Sequence, residues 1–191
     1  MKKLFAFLLA GVWAVSLLSA QETKDHKSSV RKMVDESEYV MIDLDLSRVA
    51  AFYSGIGEYV KFYPMTVTDL KTNKSEKGVL MKMYIYYYLD DNTKKKFYYD
   101  AYIGRDEIDD FIAFIEKYVI PNLNATTDSK KQKKIYVFHA KEITMTYLIS
   151  GKKRQLRIKL NFTEDDPDSY EFWTSTQVKK ITELVDLLKK L

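Results

Sequence analysis

Two segments of helical periodicity lie 70 residues apart, and each follows alternating, strand-like segments. Ile108, Phe111, Ile112, Ile115 and Val119 form the apolar stripe of a helix expected over 106–120, which Pro121 ends. Val178, Ile181, Val185 and Leu188 form the stripe of a final helix. Thr174, with Gln177 three residues later, has the pattern of a capping box at its start. Ile108 falls on Val178, Phe111 on Ile181 and Ile115 on Val185, an offset of 70 in each case. Strands are expected over 79–89 and 97–103 before the first helix. They are expected over 135–138, 142–149, 155–162 and 170–173 before the second. Tyr102 and Phe172 correspond, and so do Asp90-Asp91-Asn92 and Glu164-Asp165-Asp166 after a short gap.

Strands followed by a helix, twice, predict an α+β class. An antiparallel or mixed sheet would have the helices packed on one face. The recurrence also reads as two tandem β-hairpin–helix units, 38–121 and 135–191, separated by a Lys-rich linker over 122–134. The same two units alternatively form one joint domain.

The N-terminal part divides differently. Lys2 and Lys3 precede an uncharged run from Leu4 to Leu18, which closes on Ser19 and Ala20. That is the pattern of a secretory signal peptide over 1–20. The run is short of the ~20 apolar residues of a membrane-spanning helix. Residues 21–37 read as a flexible polar lead-in. Residues 39–46 alternate, with Val40, Ile42, Leu44 and Leu46 on one face of a strand. Ser47 suggests the cap of a short helix over 48–53, stopped at Gly55. Residues 58–68 are rich in Tyr, Val, Phe and Thr and suggest strand, interrupted near Pro64.

Composition excludes several chemistries. The 191 residues are 46% hydrophobic, enough to build a core, and contain no cysteine. Disulfides, cysteine-ligated metals and a thiol nucleophile are therefore excluded. Two histidines leave little for His-based catalysis. No P-loop, G-x-G-x-x-G, G-x-S-x-G or H-E-x-x-H pattern occurs. Without residues 1–20 the net charge falls from +4 to +2, because they carry Lys2 and Lys3 and no acid. The balance gives no reason to expect nucleic acid as a partner.

One surface stands out. Tyr84, Tyr86 and Tyr88 share a face of the first hairpin, and Tyr98 and Tyr102 join them from the partner strand. Tyrosine buries area while keeping a polar tip, which suits recognition of a protein or a glycan. In the second unit Arg157 and Lys159 take the equivalent positions. On a shared sheet, the open face would run from tyrosines to basic groups and fit an anionic glycan or acidic partner. Lys94-Lys95-Lys96, Lys130-Lys131 with Lys133-Lys134, and Lys152-Lys153-Arg154 read as solvated loop clusters. Asp165-Asp166-Pro167-Asp168, Asp90-Asp91-Asn92 and Asp43-x-Asp45 lack calcium-loop order, so no metal and no cofactor is expected. His139 reads as a structural or surface residue.

These features predict an exported protein, periplasmic or extracellular, that binds an envelope protein or glycan without catalysis. The alternatives are a small carboxylate-dependent hydrolase, acting for example on glycan, and a self-associating structural component of the envelope.

Overall fold

The computed structural model describes residues 27–88, 93–129, 131–161 and 171–191. These form two antiparallel sheets and three α-helices, an α+β architecture. The first sheet contains β1 (Val40–Leu44), β2 (Ala50–Tyr53), β3 (Tyr59–Asp69), β4 (Ser75–Tyr88) and β5 (Lys94–Gly104). Its order is β1-β3-β4-β5, with β2 also pairing β3. The second sheet runs in sequence order through β6 (Lys133–His139), β7 (Ile143–Ser150), β8 (Lys153–Leu160) and β9 (Glu171–Thr174).

Helix α1 (Ser29–Glu36) precedes the first sheet, α2 (Arg105–Phe114) follows β5, and α3 (Ile181–Leu188) follows β9. The order of strands and then a helix does recur, but each recurrence has its own sheet. The two hairpins do not share a sheet, so the condition for one open face running from Tyr84 to Arg157 and Lys159 is not met.

Strict alternation explains the packing. Val60 and Phe62 on β3, Met81, Met83 and Ile85 on β4, and Ala101 and Ile103 on β5 point to one side and are buried. Ile143, Met145, Tyr147 and Ile149 on β7 do the same for the second sheet, with Leu156, Ile158 and Leu160 on β8. Both inner faces join the stripes of α2 and α3 in one continuous apolar cluster. Phe111 and Phe114 of α2 stack on Phe138 of β6, with ring centroids 4.9 and 5.5 Å apart. Each such side chain contributes ~1.5–3 kcal/mol on burial, so the helices bind the two sheets into one core.

Several local expectations give way to longer-range contacts. The helix expected over 106–120 passes from α2 into a π-helical turn, Ile115–Val119, and a 3-10 turn, Ile120–Asn122. The helix expected over 48–53 is strand β2. Its Tyr53 N–H donates to Gln177 Oε1 at 3.0 Å, and its Tyr53 carbonyl accepts from Thr174 Oγ1 at 3.0 Å. Thr174 and Gln177 therefore clip β2 rather than cap the last helix.

The lead-in expected over 21–37 contains α1. Ser28 caps this helix by accepting from Arg31 N–H at 3.1 Å. Val30, Met33 and Val34 pack with Met65, Val67, Leu80 and Tyr102 in a second apolar cluster, on the far face of the first sheet. Gly78 and Gly104, opposite each other on β4 and β5, seat its first turn. A Cβ on Gly78 would stand 2.6 Å from Val30 Cγ2, and one on Gly104 2.3 Å from Ser29 Oγ.

A buried carboxylate pins α1 in place. Glu142, in the β6–β7 turn, accepts from Ser28 Oγ at 2.8 Å, Tyr102 N–H at 2.9 Å and Arg31 Nη2 at 3.1 Å. No helix among the described residues is long and apolar enough to cross a membrane. The expected signal peptide over 1–20 and the acidic loops at 90–92 and 165–168 lie outside the described residues.

Candidate functional site

The outer face of the first sheet is divided. At the end that carries Met65, Leu80 and Tyr102, α1 covers it. At the other end none of the described elements covers it, and a row of tyrosines crosses four strands there. Tyr53 on β2 pairs with Tyr59 on β3, Tyr59 with Tyr84 on β4, and Tyr84 with Tyr98 on β5. Ring centroids along the row are 6.2, 5.2 and 4.8 Å apart. Tyr86 adds a fifth ring, 5.2 Å from Tyr84 and roughly perpendicular to it. Directly opposed side chains in an antiparallel sheet stand close enough for such contacts, and each aromatic pair contributes roughly 0.5–1.5 kcal/mol beyond area burial.

The row is closed at its centre and open at its ends. Tyr84 is 7% exposed, whereas Tyr53 is 38% and Tyr98 69% exposed. A hydroxyl–hydroxyl hydrogen bond to Tyr86, followed by enclosure of the ring, pushes the Tyr84 phenol up to about 12. Tyr84 is thus neutral at any physiological pH, and neither a base nor a phenolate nucleophile. The next row carries charge. Lys61 Nζ lies 4.6 Å from the centre of the Tyr59 ring, and Lys82 stands 4.0 Å from Asp100. Aromatic faces, phenolic hydroxyls and a few charges share this surface, the residue types enriched where proteins make contact.

The remaining expected site residues fall elsewhere. Tyr102 belongs under α1, not on the open face. It is 9% exposed, and the Arg31 guanidinium lies 4.1 Å above its ring. Burial raises its phenol despite the nearby Arg31 charge. Tyr88 continues β4 opposite Lys94, but its side chain lies outside the described part of the structure.

Arg157 and Lys159 lie on the outer face of the second sheet. Arg157 donates to Gln155 Oε1 at 2.8 Å and pairs with Glu171 at 3.1 Å. Thr146 and Trp173 flank it in the cross-strand row, with Val137 beyond Thr146, and Trp173 and Val137 are exposed. His139 Nδ1 lies 3.1 Å from Thr144 Oγ1 at the sheet margin, a structural contact.

Tyr53, Tyr59 and Lys61 are the site residues that sequence reasoning missed. The alternation Tyr59, Lys61, Tyr63 against Val60 and Phe62 was a usable signal for two of them. Nothing local marks Tyr53, because β2 has only four residues, too few to show a period.

The buried and clustered carboxylates have structural work. Glu107 accepts from the Gly104 and Lys141 backbone N–H groups at 3.3 and 2.5 Å, and burial raises its carboxyl. Glu58 accepts from Tyr86 N–H at 3.0 Å at the end of the tyrosine face. Asp43 and Asp45 line a pocket of about 400 Å³ with Arg48, Lys77 and Lys190. Hydrogen bonds from Ser47 and Arg48 hold Asp45 down at about 2, so it cannot serve as an acid near neutrality. Among the described residues no three His, Asp or Glu side chains converge in metal-binding fashion.

No protein-family model matches the chain, and searches of curated proteins and of solved structures return no match.

Proposed function

We propose that this chain is an exported, non-enzymatic binding protein of the cell envelope that recognises its partner through the tyrosine row of the first sheet. The observation that carries the reading is the row itself: Tyr53, Tyr59, Tyr84 and Tyr98 aligned across four strands, open at both ends and left uncovered by α1. Tyrosine is enriched in recognition surfaces because it offers area and hydrogen bonding with little side-chain entropy to lose. The rings are already stacked, so little ordering cost remains on binding.

Export rests on the pattern of residues 1–20. Binding is favoured over hydrolysis because the buried carboxylates Glu107 and Glu142 are taken up by backbone N–H groups.

The test is affinity capture of the tagged protein from its own cell envelope, compared with the Tyr53→Ser/Tyr98→Ser variant. Both positions are exposed, so circular dichroism should be unchanged. A partner captured by the parent and lost in the variant is the expected outcome. Equal capture by both removes the tyrosine row from the interface. If neither captures a partner and light scattering shows large homo-oligomers, self-association through sheet edges replaces the reading.

A further inference from the structure

On the other side of the core, the turn between β7 and β8 meets the segment that follows the 3-10 turn. Gly151 adopts a left-handed conformation, with φ 57°, at the tip of that turn. Its N–H donates to Thr127 Oγ1 at 2.6 Å, and its carbonyl accepts from Thr127 N–H at 3.1 Å. The Arg154 guanidinium donates from Nε to Ala125 O at 3.1 Å, from Nη2 to Asn124 O at 2.9 Å and from Nη1 to Lys152 O at 3.2 Å. The turn and the 124–127 segment are therefore sewn together, and Arg154 is fixed.

Carbonyl dipoles hold that guanidinium without neutralising it. Lys152, Lys153, Arg154 and Lys179 line a single pocket of about 520 Å³ with Ser175, Thr176 and Trp173, and among the described residues no carboxylate lines it. Lys152 and Lys153 also border a neighbouring cavity, where Asp128 is the acid. Among the described residues, the ammonium groups of Lys152, Lys153 and Lys179 have no ion-pair partner. Four like charges around one concavity repel each other. An anion placed among them relieves that repulsion and gains charge-assisted hydrogen bonds. The volume suits a small ligand rather than a chain, since such sites span roughly 300–1,000 Å³.

We propose that this pocket binds a small multivalent anion, bearing sulfate, phosphate or carboxylate groups, at a site separate from the tyrosine row. Arg154, held by three carbonyls, supplies the fixed charge. Lys152, Lys153 and Lys179 supply the mobile ammonium groups of the lining, and Ser175 and Thr176 offer hydroxyl donors.

The chain contains two tryptophans, Trp13 and Trp173. In the Trp13→Phe chain, Trp173 fluorescence therefore reports the pocket directly. Sucrose octasulfate, tripolyphosphate and citrate are titrated separately. At least one should give a saturable change, and the tightest of them assigns the anionic group. Lys152→Gln/Lys179→Gln should weaken that binding by about tenfold or more, the size expected for losing charged hydrogen bonds. The control Lys71→Gln/Lys74→Gln, in the β3–β4 turn of the first sheet, should change it less than about twofold. No saturable change with any probe overturns the proposal. So does an equal loss in the control, which means diffuse attraction. Tighter, pocket-dependent binding of a single-stranded oligonucleotide overturns the assignment to a small ligand.

Discussion

The two sheets present similar faces to the core and different faces to the outside. Inside, each offers a dense aliphatic and aromatic layer to the same helices. Outside, the first sheet stacks Tyr53, Tyr59, Tyr84 and Tyr98 into one aromatic row. The second sets Val137, Thr146, Arg157 and Trp173 in a row, with Arg157 paired to Glu171. The inner similarity follows from period-two alternation over a shared core. The outer faces are free of that constraint, so it is there that the two halves diverge in residue type.

The largest effects should come from the inner faces. Phe62→Ala in the first sheet and Phe172→Ala in the second each remove a fully buried ring. Each should cost about 3–5 kcal/mol. Urea unfolding followed by circular dichroism should show one cooperative transition in both variants, because the core is continuous. Two separate transitions would break the comparison by showing that the sheets fold independently.

The tyrosine row should respond next. Tyr84→Ala removes a ring that touches Tyr59, Tyr86 and Tyr98, and should cost roughly 2–4 kcal/mol from three aromatic contacts. The row also has a pH signature. Tyr84 ionises at about 12, above the ordinary tyrosine value near 10. Its folded form thus favours the neutral phenol. The associated stability is fully present below about pH 10 and is lost as pH rises from there through about 12. Ultraviolet titration of the phenolate band should show a late phase, shared with the buried Tyr102 and Tyr147, that Tyr84→Phe reduces by one phenol; an unchanged late phase in that variant would separate Tyr84 from its neighbours.

The outer face of the second sheet should matter least. Arg157→Gln breaks an exposed ion pair and should change stability by no more than ~1 kcal/mol, with the small difference vanishing at high salt. A larger, salt-insensitive loss in thermal denaturation would mean that this row, too, is an organised surface.

How far this contrast can be read from sequence depends on what holds each element. The β4–β5 hairpin and the stripe of α2 are legible because their patterns are long. Tyr84, Tyr86 and Tyr98 fall on one face as alternation requires, and Met83 and Ile85 fall on the other. Tyr102 obeys the same alternation but lies beneath α1. That helix was hidden because Val30, Met33 and Val34 make only a short stripe amid charge. Residues 50–53 offered too few positions for a period, and Ser47 imitated a helix cap. They are a strand because they pair with residues 59–62 of β3, and Thr174 and Gln177, more than a hundred residues later, hold the Tyr53 end. The separation into two sheets was likewise invisible, because alternation fixes which side a residue takes and not which strand lies next to it.

The Glu142 anchor has a consequence for the order of events in a chain made from its N-terminus. Ser28 and Arg31 are synthesised early, yet their buried partner lies 114 and 111 residues further on. Closing so long a loop costs more chain entropy than any local step, and it cannot precede synthesis of the β6–β7 turn. The opening segment of the described chain is therefore among the first parts to exist, and it stays unpinned until that turn is made. Until it settles, Met65, Val67, Leu80 and Tyr102 stay uncovered, a transient sticky surface that a holding chaperone would recognise and the finished protein conceals.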